Sequence, residues 1–330
     1  MDLTRRRLLT GGLAGLAGVA GAKATYNVAL GYDSLTGTNL TRQELDPLVA
    51  AGLGPSDGHL GVVSDRDVRF ADGHLVVDAN GGDVHVVAID ASGVAEARSI
   101  DRELGLDGDP LAGLVSDLVA IEADDVTFEY HSYPAFFDRA DELEGRPLAV
   151  QALRQFRAAT PRTVEAFAGV NPRDTPALVE ALAAGFRAHT SYDVSRYLAG
   201  SVEDNVILGA VDLRRYFESP TDFASIMAGD NKGLFCYELV FRSIEAMHAV
   251  PAPAQTVPVF AGYVRNRRHK HAFTVVASIG RAGDDVVVPV TFLDYTRSTL
   301  YDDLGLRWLL GEGLDAYTTR QRATDIYWRL

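Results

Sequence analysis

Cysteine is almost absent: Cys236 stands alone in 330 residues, so no disulfide can form within the chain. Lysine is nearly as scarce, occurring only at Lys23, Lys232 and Lys270, and arginine carries almost all the positive charge. The 31 Lys+Arg residues face 45 Asp+Glu, for a net charge of −14. A surface this acidic has no basic stripe to neutralise phosphates, which excludes nucleic acid as the expected partner. Beyond the first two dozen residues no apolar run is long enough to span a bilayer, so no stable membrane span is expected there. Hydrophobic residues at 47% and charged ones at 23% give an ordinary globular balance, which rules out wholesale disorder. The length suits two domains better than one.

An acidic chain that avoids lysine and favours aspartate over glutamate keeps itself hydrated where salt screens everything else. The composition resembles that of proteins from halophilic archaea. At the N-terminus, Thr4-Arg5-Arg6-Arg7-Leu8-Leu9 precedes a mildly apolar Gly/Ala-rich run to Ala22, and Ala22-Lys23-Ala24 offers a small-x-small cleavage site. This segment resembles a twin-arginine export signal, which implies an extracellular or cell-surface protein. Cleavage after Ala24 would take away one acidic and four basic residues and deepen the net charge from −14 to about −17.

The reading of the rest is α+β. Residues 25–145 are expected to form a smaller, mainly β region of unknown role. Its short strands Gly61–Val63, Val68–Phe70, His74–Val77 and Val84–Ile89 are separated by Ala71-Asp72-Gly73 and Asn80-Gly81-Gly82-Asp83, residues that tolerate positive φ and favour an antiparallel meander. Leu111–Ile121 reads as a helix and Val126–His131 as a strand. Residues 146–330 form the second expected domain. Helical spacing runs through Arg146–Ala158, Pro176–Ala188, Val194–Leu198 and Thr221–Met227, with Asp174-Thr175-Pro176 as a helix start. A helix over Cys236–His248 then gives way to extended runs at Thr256–Val264, His271–Ile279 and Val286–Thr296.

Three residues carry the chemistry. Cys236 opens an amphipathic helix, with Asp230 or Asn231 where a cap would sit, and a thiol there meets the positive end of the helix dipole. The last two extended runs read as a hairpin closed by Gly280–Asp285. Pairing Ile279 with Val286 sets Phe273 opposite Phe292 and His271 opposite Asp294, on an apolar face. The other face, with Thr274, Ser278 and Thr291, reads as the wetter one, and Pro289 pushes its strand toward an edge. A histidine beside a carboxylate suits a base and its orienter, and the imidazole can take a thiol proton.

The segments Lys232–Leu239, His271-Ala272-Phe273 and Phe292–Thr296 together resemble the transglutaminase-like superfamily. Its papain-like core packs a cysteine-bearing helix on an antiparallel sheet that bears histidine and aspartate. The resemblance covers roughly residues 180–300. It departs from the usual pattern at Gly233, one residue further from the cysteine, and at Phe273 and Tyr295, which stand for tryptophan and proline. The resemblance implies Cys236 as nucleophile, His271 as general base and acid, and Asp294 as orienter. It implies thioester chemistry on a protein or peptide amide, with peptidase or amidase action ahead of crosslinking, and no cofactor or metal. The alternative is an inactive cell-surface binding or assembly protein that keeps the fold.

Other constellations compete weakly. His269-Lys270-His271 places two histidines on one strand face, but no ligand spacing of a known zinc type accompanies them. Arg265-Asn266-Arg267-Arg268 is the one basic patch, readable as a solvated loop or as an anchor for an acidic substrate group. His59, His74, His85, His131, His189 and His248 fall in no catalytic spacing and read as structural or surface residues. The aromatic residues Tyr130, Tyr133, Tyr192, Phe136 and Phe137 read as core or interface rather than as a substrate groove.

Overall fold

The computed structural model describes residues 45–78, 83–133, 135–193, 220–229, 232–268, 271–296 and 322–329. These residues form a mixed helix-and-sheet fold with mainly antiparallel sheets. Helix α1 (Leu45–Ala50) leads into a four-stranded antiparallel meander, β1 (Gly58–Val63), β2 (Arg66–Ala71), β3 (His74–Asp78) and β4 (Val84–Ala88). Helices α2 (Ala91–Glu103) and α3 (Pro110–Glu122) follow, then β5 (Thr127–Tyr130), α4 (Ala135–Glu142), β6 (Glu144–Gly145), α5 (Pro147–Ala152), α6 (Pro161–Ala168) and α7 (Thr175–His189). After β7 (Thr190–Tyr192) come α8 (Phe223–Ala228), β8 (Lys232–Leu234) and α9 (Cys236–Met247). The remaining strands are β9 (Phe260–Asn266), β10 (His271–Ala277), β11 (Gly280–Ala282), β12 (Asp285–Leu293) and β13 (Asp325–Tyr327). The export-signal segment and the Val194–Leu198 helix lie outside the described residues.

The large sheet has the order β13-β9-β10-β12-β11-β6, with β5 added parallel to β12. It is apolar on both sides because both sides are covered, as strands buried on two faces require. On one side Val264, Phe273, Val275, Val288, Val290 and Phe292 meet the meander, α3 and α5 in a single core. On the other, Ala261, Ala272, Val276 and Leu293 meet α4 and α6 to α9 in a second. The face read as wetter is therefore dry: Thr274 and Thr291 are fully buried, and Ser278 is 3% exposed. Two of those hydroxyls are satisfied internally, Thr274 with Ser243 (2.6 Å) and Ser278 with the Pro258 carbonyl (2.6 Å). A short polar side chain with an internal partner can be buried at little cost, which alternation alone does not reveal.

Two further expectations about this sheet change. Pro289 lies in a strand with neighbours on both sides, paired with Glu129 of β5, and its carbonyl accepts from the Ser278 N–H (3.1 Å). Losing one donor does not confine that strand to an edge. The division expected near residue 145 is crossed by the sheet, since β5 and β6 precede it. The region before residue 145 also carries helix as well as strand, because α2 and α3 pack directly on the meander.

Helix starts follow local chemistry. Asp174 accepts from the Ala177 N–H (3.1 Å) with Pro176 in the first turn of α7, and Asp90 accepts from the Ser92 and Gly93 N–H groups (both 2.8 Å) at α2. The helix read over Arg146–Ala158 stops at Ala152. Beyond it Arg154 folds back, its guanidinium donating to the carbonyls of Val250 (2.6 Å) and Val259 (2.6 and 2.9 Å) and to the Gln255 side chain.

Candidate active site

Helix α9 is held by one apolar stripe. Leu239, Val240, Ile244 and Met247 are buried at the spacing of a single helical face, against β9 and β10. Each such side chain contributes roughly 2 kcal/mol when fully buried, so packing rather than intrinsic propensity pins the helix. The Ser243–Thr274 hydrogen bond (2.6 Å) sets its position along β10. Cys236 lies seven residues before Ser243, about 10.5 Å along a helix. His271 lies three residues before Thr274, about 10 Å along a strand. The two therefore arrive at the same end of the helix–sheet contact, His271 sharing strand parity with Phe273 and Val275, and Cys236 lies near enough to contribute to the raised His271 pKa.

The helix start differs from the expected one. Phe235 is the N-cap residue, while Asp230 and Asn231 lie outside the described residues. The Glu238 side chain reaches back to accept from the Phe235 N–H (2.7 Å), one half of a capping box. Leu234 and Gly233 just upstream pair with β7, and Asp193 comes within 3.0 Å of where a Gly233 Cβ would stand. The glycine thus lets the segment leading to Cys236 lie against its neighbour. Cys236 itself is free and partly exposed.

His271 and Asp294 meet, but by a register other than the one read from sequence. Val275 pairs with Phe292, Thr274 with Leu293 and Gly280 with Val287. The hairpin continues through β11 and turns at Gly283-Asp284, with Gly283 at φ 67°. The turn is centred one residue later than the middle of Gly280–Asp285, which shifts every pair by two positions, preserves the faces and makes the His271–Asp294 relation diagonal. The imidazole spans the diagonal: Nε2 donates to Asp294 Oδ2 at 2.7 Å.

The pair is well enclosed, with side-chain exposures of 13% for His271 and 2% for Asp294. Burial works against the imidazolium, yet the Asp294 charge and hydrogen bond, with the Cys236 contact, outweigh it and push the His271 pKa up to about 10. The site therefore favours a protonated imidazole beside the Asp294 carboxylate.

The flanks of Cys236 are aromatic. Tyr237 and Phe235 have ring centroids 5.8 Å apart, Tyr237 and Phe241 6.4 Å, Phe241 and Tyr263 5.6 Å, and Tyr263 and Tyr327 6.0 Å. Tyr263 and Glu238 are not among the residues expected from sequence to shape the site. Glu238 sits three residues after the N-cap, which is a recognisable capping signal. Tyr263 is marked only by sharing a strand face with Arg265.

The basic patch divides. Arg267 is committed to Asp325 through Nε (2.6 Å) and a second contact (2.5 Å), and Asn266 is buried opposite His271. The Arg265 carbonyl accepts from the Thr324 N–H and hydroxyl (both 2.8 Å), while its guanidinium makes no hydrogen bond or ion pair among the described residues; the residue stands two positions from Tyr263 on β9. His269 lies outside the described residues, and among those described no group of three or more His, Cys, Asp or Glu could hold a metal ion. His248 is structural: buried and with its pKa held well down by burial and Arg154, it accepts from the Ala261 N–H (2.9 Å). Phe136 and Phe137 are core residues. A cavity of about 510 Å³ is lined by Tyr133, Phe137, Asp138, Asp174 and Glu180, away from the three candidate residues.

No protein-family model, no curated protein and no solved structure matches this chain. Among the described residues no helix is long and apolar enough to cross a membrane.

Proposed function

We propose that the chain is an exported cysteine-dependent acyl hydrolase or acyl transferase, acting on protein or peptide amides through a papain-like core of the transglutaminase-like kind. The observation that carries this reading is the 2.7 Å bond from His271 Nε2 to Asp294 Oδ2, made where Cys236 lies near enough to contribute to the raised His271 pKa. In this reading the Cys236 sulfur attacks the amide carbonyl, and His271 hands its proton to the leaving amine as the thioester forms. Water then opens the thioester, with His271 as base, or an amine captures the acyl group. Asp294 fixes the imidazole and stabilises its charge. Hydrolysis is the favoured outcome. The partial exposure of the thiol supports turnover over a protein that only binds.

The test is cleavage of a fluorogenic peptide-amide library by wild type and Cys236→Ala, run in high salt. The reading expects release by wild type alone, with equal thermal midpoints. Equal release by both proteins contradicts it.

A further inference from the structure

Sulfur attack on a carbonyl moves the π electrons onto oxygen, and that oxygen needs donors. The Cys236 backbone N–H at the start of α9 is one; the second has to be a side chain close to the thiol. Tyr263 meets the requirements. It points to the α9 side of the sheet, where its ring stacks on Phe241 at 5.6 Å with an interplanar angle of 26°. Phe241 belongs to the helix that Cys236 opens, so the phenol is indexed to the nucleophile through one rigid element. The register Thr274↔Tyr263, one strand over from the Ser243–Thr274 bond, fixes its position along the sheet. Among the described residues the Tyr263 hydroxyl has no hydrogen-bond partner, and the side chain is only half-buried, so an incoming oxygen can reach it.

We infer that Tyr263 is a catalytic residue whose hydroxyl donates to the oxyanion formed when Cys236 attacks an acyl group, completing with the Cys236 N–H a two-donor hole. Burial and the nearby Cys236 charge raise the phenol pKa to about 12, so it stays a neutral donor across the working range. The inference rests on the cysteine-nucleophile reading above.

The chemistry separates the two claims. With p-nitrophenyl acetate the sulfur adds to the carbonyl carbon, the oxygen takes the negative charge, and collapse expels p-nitrophenolate to leave an S-acetyl cysteine. With iodoacetamide the sulfur displaces iodide at a saturated carbon, and no oxyanion forms. Tyr263→Phe keeps the ring and removes only the donor. Loss of one oxyanion donor slows reaction by about 10² to 10³. The full-length variant is therefore expected to be acetylated at Cys236 about 100-fold more slowly than wild type, while its alkylation by iodoacetamide stays within about twofold. Acetylation within twofold of wild type overturns the inference. So does a parallel loss in both reactions, which would place Tyr263 in activation of the thiol rather than of the carbonyl. If wild-type Cys236 reacts with neither reagent, the nucleophile reading itself falls.

Discussion

His271 and Asp294 are bonded at 2.7 Å although the hairpin register does not set them opposite one another. The bond is made on the diagonal, and it holds the imidazole by Nε2. Asp294→Asn keeps the shape but offers an amide whose N–H₂ group can force the other tautomer. In serine hydrolases that use an aspartate in this role, the equivalent change lowers turnover by about 10⁴. Here at least a 100-fold slower acetylation of Cys236 by p-nitrophenyl acetate is expected, measured by release of p-nitrophenolate.

The raised His271 pKa carries a stability signature. The native state holds the proton up to about pH 10, whereas the unfolded chain releases it near 6.5. The stabilisation is fully present below pH 6.5 and is lost as pH rises toward 10, with a slope on the order of 1 kcal/mol per pH unit at most. Denaturation curves of wild type and His271→Gln, taken every pH unit from 6 to 10, should converge as pH rises. Parallel curves would show that folding does not perturb this histidine.

Asp117 is 1% exposed and ties three elements, accepting from Arg146 of the β6–α5 junction (2.5 Å) and from Arg281 of β11 (2.9 Å). Removing one member of a buried ionic group leaves the others unpaired and costs about 3–5 kcal/mol. Asp117→Ala should lower the denaturation midpoint accordingly. Arg146→Met/Asp117→Leu/Arg281→Met, which removes all three charges, should recover much of the loss.

Glu238→Ala removes the acceptor of the Phe235 N–H and is expected to cost about 1 kcal/mol, with fraying at the turn that holds Cys236. Hydrogen exchange at the first turn of α9 reads this directly. Glu238→Gln, which can still accept, should exchange close to wild type.

Much of the site was legible in the chain, because its signals are local. A helix beginning at Cys236 and a hairpin with His271 and Asp294 on one face both follow from periodicity, and face parity survives a two-residue register error. The register differs because the turn is centred between Gly283 and Asp284 rather than between Ala282 and Gly283. Strand pairing through Ala282↔Asp285 leaves only Gly283-Asp284 to turn. Non-local relations were not legible: the parallel addition of β5 to β12 joins residues more than 150 positions apart, and nothing in Thr127–Tyr130 names that partner. Helix α2 was missed although Asp90 and the apolar Val94, Ala97 and Ile100 mark it, because Ser92 and Gly93 lower its propensity. The burial of Thr274 and Thr291 depends on helices from elsewhere in the sequence.

The most direct test of the account is the alkylation rate of Cys236 in the folded protein, followed with iodoacetamide between pH 6 and 9 for wild type and His271→Ala. The account predicts that native Cys236 reacts without unfolding, and faster than in the denatured chain at pH 6. It also predicts at least a tenfold loss at that pH in His271→Ala. A native thiol that resists alkylation until the chain is denatured, or one that reacts equally in both proteins, would contradict it.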